Sequence, residues 1–334
     1  MSALRIATLN CLNLALPSRR FYDGIEPYSA DEYIAKTQWL AQMLDRLSAD
    51  FVLVQEVFHR AALEDVVRQS AAGSRGWSFS VPFAEESNDK PRLGLIWRST
   101  WQPQIDSVVQ LAPGDVVTIP ECGPHDAFSR PLLRARVSWP PGVTLTLFNV
   151  HLKSRRPEFA ASENRSDAAA EARAQLRALL MRAAEAAALR QLVIQATLKS
   201  RAPLVVAGDF NDEATAVTTQ MVADTSWKHE DRPGRDCMLF NVLDVEQRDY
   251  PGRGRDVAFT ILHAGEPERI DHMLVSEEFV RGSKYAIGRV AAVEIFNDHL
   301  TERRTRRRSA GSADLMRIYS DHAAVCVTLE VNPA

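Results

Sequence analysis

Acids, amides and imidazoles recur at one kind of place in this chain, where an apolar run gives way to polar residues. Asn10 follows the run 4–9, Glu56 follows 51–55 and His151 follows 143–150. Asp209 and Asn211 close the run 203–207, inside the stretch Gly208, Asp209, Phe210, Asn211, Asp212. Asp321 and His322 stand just before the apolar segment 323–331, and Asp271 lies just inside 270–275. No cysteine or serine nucleophile belongs to the set. Metal-assisted hydrolysis is the chemistry that wants these groups. A hard divalent cation takes carboxylate and amide oxygens and polarises a phosphoryl oxygen. A carboxylate orients or deprotonates water, and histidines donate to phosphoryl oxygens or a leaving group.

Each residue alone also has a plainer reading. Asn10 suits a turn, and residues 208–212 suit an Asx turn. Glu56 suits the start of a helix, where the dipole favours an acid. His151 reads as a satisfied core histidine, Asp271 as a salt-bridge partner of Arg269, and Asp321 with His322 as a loop pair. Their shared position at strand ends is what selects the chemistry, because rigid backbone then aims each side chain.

The elements that must aim them are legible from periodicity. Segments 4–9, 51–56, 77–83, 93–97, 132–139, 143–150, 203–207, 238–243, 258–262, 270–275, 291–296 and 323–331 read as strands, and 108–119 as a strand region. Residues 132–139 and 143–150 form a hairpin about Pro140, Pro141 and Gly142. Ser29 and Glu32 have capping-box spacing ahead of a helical repeat through Leu47. Residues 60–69 read as a short helix. Residues 168–198, rich in Ala, Leu, Arg, Glu and Gln, read as one long helix or two with a break, covering a sheet. Strands separated by helices and hairpins imply mixed sheets with helices outside. No repeat, low-complexity linker or domain boundary interrupts residues 1–334, so one domain is expected.

Composition narrows the setting. The 334 residues are 46% hydrophobic and 25% charged, with a net charge of -3, an ordinary globular balance. Binding of nucleic acid through bulk charge alone would need a more basic chain. Cys11, Cys122, Cys237 and Cys326 are scattered without a paired spacing, which fits a reduced compartment. No signal-peptide pattern and no run of membrane-spanning length is present, so a soluble, cytoplasmic monomer is expected.

The sequence resembles the endonuclease/exonuclease/phosphatase superfamily. The likeness rests on Thr8 to Asn10, Val54 to Glu56, Asn149 to His151, Gly208 to Asn211, Arg269 to Asp271 and Ser320 to His322, which occur in the family's order across almost the whole chain. It implies an α/β four-layer sandwich: two mixed β-sheets packed face to face, with helices on both outer faces. It implies Mg²⁺ or Mn²⁺ as cofactor, with Glu56 as main metal ligand and Asn10 beside metal and phosphate. Asp209 is implied to orient or deprotonate the attacking water, and Asn211 to bond a phosphate oxygen. His322 would contact the phosphoryl group, held by Asp271, and Asp321 would stand next to the metal or behind its ligands. His151 matches the second histidine of the deoxyribonuclease-like and sphingomyelinase-like branches. The expected reaction is in-line attack of water on a phosphoester. Leu12 stands where some members carry an acid, and Phe210 where the sphingomyelinase branch often has Leu. Near the place of the acid that orients the second histidine stand Pro91 and Asp89.

A nuclease is the first expectation for substrate. Arg130, Lys153, Arg155 and Arg156 flank expected site strands, and Arg303, Arg304, Arg306, Arg307 and Arg308 precede Asp321. Arginine suits bidentate phosphate contacts, and Arg130 is the expected substrate-binding residue. Phe21, Tyr22 and Trp227 are loop aromatics able to stack on bases. The alternative is a phosphatase or phosphodiesterase for a small-molecule or lipid-headgroup phosphoester, because site loops rather than fold decide substrate. A non-enzymatic relative would have lost Glu56, Asp209 or His322, and all three are present.

Overall fold

The computed structural model describes residues 2–22, 24–82, 90–139, 142–224, 237–249, 258–301 and 315–331. The chain runs β1 (Ser2–Leu14), α1 (Ala30–Leu47), β2 (Phe51–Val57), α2 (Arg60–Gln69), α3 (Gly73–Gly76), β3 (Trp77–Ser80), β4 (Arg92–Arg98) and β5 (Gln104–Gln110). It continues through β6 (Val117–Ile119), β7 (Gly123–His125), β8 (Ala127–Ser138), β9 (Thr144–His151), α4 (Ala168–Thr197), β10 (Leu204–Asp209) and α5 (Val217–Ala223). Then come β11 (Leu239–Asn241), α6 (Val242–Asp249), β12 (Ile261–His263), β13 (Glu266–Glu268), β14 (Asp271–Ser276), β15 (Gly288–Phe296), α7 (Leu315–Ile318) and β16 (Ala324–Val331).

Two six-stranded sheets result, in the orders β15-β16-β1-β2-β4-β3 and β11-β14-β10-β9-β8-β5. Both are mixed: β1 lies parallel to β2 and antiparallel to β16, while β10 lies parallel to β9 and antiparallel to β14. Leu4, Ile6 and Leu53 of the first sheet pack against Leu147, Val205 and Met273 of the second, so the inner faces meet. Leu40, Leu44, Leu63 and Val67 of α1 and α2 cover the outer face of the first sheet. Leu189, Val193 and Val222 of α4 and α5 cover the second. These are the four layers the family likeness implies.

Local chemistry explains the boundaries. Ser29 accepts the Glu32 amide and Glu32 reaches back to the Ser29 amide, so the capping box starts α1. Residues 168–197 form one unbroken helix of 30 residues, which settles the choice left open by composition. Residues 108–119 are not one strand: β5 ends at Gln110, a short turn over Pro113–Asp115 follows, and β6 pairs with β7. Proline removes a ladder donor there. The arginines between 303 and 308, together with Trp227 and Asp89, lie outside the described residues. Among the described residues no helix is long and apolar enough to cross a membrane.

A polar seam crosses the apolar interior. Gln55 on β2 donates to Thr8 Oγ1 at 3.0 Å and to Asn149 Oδ1, on the opposite sheet, at 2.7 Å. Asn149 returns two bonds, to the carbonyls of Val54 at 3.0 Å and Gly94 at 2.9 Å. Bonds with this geometry forbid the sheets to slide, which keeps their strand ends together.

Gly208 serves the same end. Its φ of +145° lies outside the range of L side chains, and a Cβ there would sit 1.9 Å from the Val150 carbonyl oxygen on β9. Gly208→Ala is therefore expected to destabilise the fold by more than about 3 kcal/mol. Thermal unfolding of the variant beside the parent checks this, and an unchanged melting temperature would contradict it.

Candidate active site

The strand ends converge on the carboxylate of Asp209, the last residue of β10. Its Oδ1 accepts the Asn211 amide at 2.8 Å. Its Oδ2 accepts Asn10 Nδ2 at 3.2 Å and lies 3.3 Å from His151 Nε2 and 3.9 Å from His322 Nε2. The β10 register places Asp209 between His151 on β9 and Asp271 on β14. From the other sheet, Asn10 Nδ2 also donates to Glu56 Oε1 at 3.2 Å, and the Asn13 amide donates to Glu56 Oε2 at 2.9 Å. One amide nitrogen thus holds a carboxylate from each sheet.

The backbone bends to make this possible. Glu56 has φ +60° at the point where the β2 ladders shift register, and Leu12 and Asn13 have φ +50° and +53°. Non-glycine residues in this region cost roughly 1–2 kcal/mol each, and the bonds to Glu56 hold the bend. The amide of Leu12 donates to Asn10 Oδ1 at 3.0 Å. At the position where some relatives carry an acid, the backbone of this chain thus orients the asparagine. Asn211, at φ +54°, is of a residue type that tolerates this region.

Burial and charge split the two imidazoles. Burial, with the Arg130 and His322 cations, holds His151 well below the usual imidazole range, so it is neutral. Burial also opposes charge on His322, yet Asp271, Asp209 and Asp321 outweigh it and hold its pKa well above that range. His322 Nδ1 lies 2.8 Å from Asp271 Oδ2, and Asp321 Oδ1 is 4.0 Å from Nε2. Burial pushes the Asp209 carboxyl up to about 7, with Asp271 and Glu56 adding to the rise and His322 opposing it.

Two groupings offer themselves to a cation. The ligating atoms of Asp209, Asp271 and His322 lie within 4.8 Å of one another. His322, however, is a charged imidazole engaged with Asp271 and has no lone pair to give, so this trio is an ion-pair cluster. Glu56, half-buried beside the Asn10 amide, is the better fit for a hard cation, which takes oxygen donors. Asp271 Oδ1 and Asp321 Oδ1 are buried without a hydrogen-bond partner among the described residues, as oxygens that await a ligand would be.

Every site residue expected from the sequence is at or beside this cleft: Asn10, Glu56, His151, Asp209, Asn211, Asp271, Asp321 and His322 in it, and Arg130 at its rim. Asn211 commits one amide proton to the Leu152 carbonyl at 2.9 Å. His151 Nδ1 has no partner among the described residues, so Asp209 alone orients that ring. The flanking cations divide. Lys153 is buried and paired with Glu158 at 3.1 Å, and Arg155 bonds Glu268 at 2.7 Å and the Asn211 carbonyl at 3.0 Å, so both are structural. Arg130 and Arg156 have no carboxylate within ion-pair distance among the described residues. Phe21 is buried against Tyr28 and Phe58, whereas Tyr22 is half-buried beside Arg130.

Sequence reasoning missed Thr260 and Ser320. Thr260 Oγ1 accepts the Asp271 amide at 3.1 Å, and Ser320 Oγ bonds the Asn10 carbonyl at 2.6 Å and the His322 amide at 3.0 Å. Ser320 belongs to the run Ser320 to His322, so its place is legible in the sequence. Thr260 carried no signal, because its partner is set by sheet packing.

The model of the Endonuclease/Exonuclease/phosphatase family matches residues 7–322. Among solved structures, a humanized D. rerio TDP2 aligns with a TM-score of 0.54 at 15% identity, covering 98% of this chain and 99% of that one. The human Nocturnin catalytic domain aligns at 0.53 and 14%, covering 99% and 95%. The Bacteroides thetaiotaomicron mannosyl-6-phosphatase Bt3783 aligns at 0.53 and 15%, covering 98% and 99%. At such identities they share the fold with this chain. No curated protein matches it by sequence.

The split between the imidazoles is measurable without metal. In EDTA-treated protein, the His322 Cε1 resonance should titrate above 6.5 while that of His151 stays neutral down to lower pH. Because the folded pKa of His322 exceeds its unfolded value, its pairing stabilises the fold fully below about 6.5, and that contribution is lost as pH rises through the folded pKa. Asp271→Asn should lower the His322 midpoint by about one unit or more. A midpoint unmoved by the substitution would show that Asp271 does not hold the charge.

Proposed function

The chain belongs to the endonuclease/exonuclease/phosphatase family, whose members are divalent-metal-dependent hydrolases of phosphoesters, and we propose that this one is a nuclease cleaving phosphodiesters with Mg²⁺ or Mn²⁺. Residues 1–334 then act as one domain. The observation that carries the reading is the placement of Asp209 against a neutral and a charged imidazole, beside a carboxylate that shares its amide.

Asp209 orients the attacking water and takes its proton, and a carboxyl near neutrality suits that task. His322, charged and steadied by Asp271, donates to a phosphoryl oxygen or to the leaving oxygen. His151 and Asn211 hold the phosphate from the β9 side. Glu56 would be the main metal ligand, with Asn10 next to it, and Asp321 stands beside His322. When bound, the cation neutralises charge developing on the phosphate. Arg130 and Arg156, with Tyr22, form a cationic rim next to His151 that suits a flanking phosphate of a polynucleotide. This rim favours nucleic acid over a lone phosphoester.

A second reading has its own support. On the opposite rim a cavity of about 300 Å³ is lined by Glu213, Thr215, Phe259, Pro267, Glu268 and Arg269. Glu268 is paired with Arg155 and Arg269 stands opposite Glu213 in charge, so the lining carries little net charge, which suits a small phosphoester with an uncharged remainder.

Circular duplex DNA, single-stranded DNA, RNA, abasic duplex, inositol phosphates and sphingomyelin, each with Mg²⁺, Mn²⁺ or EDTA, separate the two. Metal-dependent cleavage of polynucleotides is expected, and turnover of small phosphoesters alone would favour the second reading. Asp209→Ala and His322→Ala should each lower kcat by about a thousandfold or more, with circular dichroism unchanged. Glu56→Gln should shift the Mg²⁺ titration to higher concentration, and an unaltered titration would remove it from the metal site.

A further inference from the structure

The pairing of β8 with β9 stops at Leu133 and Asn149. Arg130 and His151 both lie past that point, on the site side. His151 keeps its register with Asp209 on β10, but nothing in the β8/β9 ladder sets Arg130 against it. Arg130 Nη1 donates to the Leu152 carbonyl at 3.2 Å, and the backbones of the two segments are joined from outside the sheet. Glu185, on α4, is 0% exposed and sends its carboxylate into the gap. Oε1 accepts the Ser129 amide at 2.8 Å and the Ser129 hydroxyl at 2.6 Å, and lies 3.1 Å from His125 Nε2. Oε2 accepts the Lys153 amide at 2.7 Å. Ser129 precedes Arg130, and Lys153 follows His151 by two residues.

Arg182, three residues earlier on the same helix, completes the grip. Its Nη1 donates to the Lys153 carbonyl at 3.3 Å and its Nε to Asp212 Oδ2 at 2.9 Å. Nothing about covering a sheet calls for charge here. Ala174, Ala178, Ala186, Leu189 and Val193 form the buried stripe of α4, and Arg177, Arg182, Glu185 and Arg190 interrupt it; of these, Glu185 is the one acid. A buried carboxylate is costly unless its oxygens are bonded, and these oxygens are bonded to the two segments that carry Arg130 and His151. We infer that Glu185 is a positioning residue: its buried carboxylate replaces the missing β8/β9 ladder and fixes His151 and Arg130 relative to each other. The inference rests on the reading of His151 and Arg130 as groups that hold the phosphate.

Glu185→Gln keeps the volume but turns one acceptor into a donor, which then opposes either the Lys153 amide or the Ser129 donors. With bis(p-nitrophenyl) phosphate and Mn²⁺ on the full chain, kcat should fall about tenfold while KM changes less than about threefold. In a His151→Ala background the same substitution should cost less than about threefold, because the group it acts through is gone. An equal loss in both backgrounds would mark Glu185 as merely structural and overturn the inference. If His151→Ala by itself leaves kcat unchanged, the reading of His151 fails and the inference with it. Should Glu185→Gln not fold, Ser129→Ala in parent and Arg130→Ala backgrounds asks the same question, with additive losses again the overturning result.

Discussion

A single primary amide holds the two sheets' acids together. Asn10 Nδ2 stands 3.2 Å from Glu56 Oε1 and 3.2 Å from Asp209 Oδ2. The two oxygens share that nitrogen, and two full charges about 6 Å apart would repel by roughly 3 kcal/mol at an effective dielectric of 20. The fold answers this repulsion in several ways. Two amide protons are shared between the acids, burial keeps Asp209 partly protonated near neutrality, and the charged ring of His322 lies 3.9 Å from the same Asp209 oxygen.

That arrangement depends on register over long distances. The seam of Gln55 and Asn149 is buried, so its bonds act in a low dielectric and lose their full strength if the sheets shift. Gly208 lets β10 approach β9 closely enough for Asp209 to reach His151. Glu56, Leu12, Asn13 and Asn211 sit at positive φ where regular pairing ends. Strain of this kind persists only where surrounding bonds over-determine it, and here the bonds run to the site's own carboxylates.

Around this centre the charges are arranged asymmetrically. On one side Arg130 and Arg156 stand with Tyr22, and on the other Glu213 and Glu268 line a cavity while Arg155 is held by Glu268. The helix α4 contributes to both rims without touching the reacting centre. Its Arg182 holds Asp212, and its Glu185 holds Ser129 and Lys153. A long helix lying over a sheet has this opportunity because it passes several strand ends at once.

Local pattern was enough to read much of this from the chain. The alternation and apolar runs at 4–9, 51–56 and 203–207 depend only on neighbours, as does the capping box of Ser29 and Glu32, and each element formed there, although β1 runs on past Asn10 to Leu14, with its register to β2 shifting after Asn10. The polar residues at those strand ends pointed to a metal-assisted site for the same reason, since a strand must end somewhere and its last side chains face the edge. Tertiary packing decided what no spacing contains. It separated the structural cations Lys153 and Arg155 from Arg130, which has no carboxylate partner among the described residues, made one imidazole neutral and the other charged, and gave Thr260 and Glu185 their partners. Burial and pairing are properties of two surfaces meeting, and residues such as Asn10 and Asp209 meet only after the whole sandwich has closed.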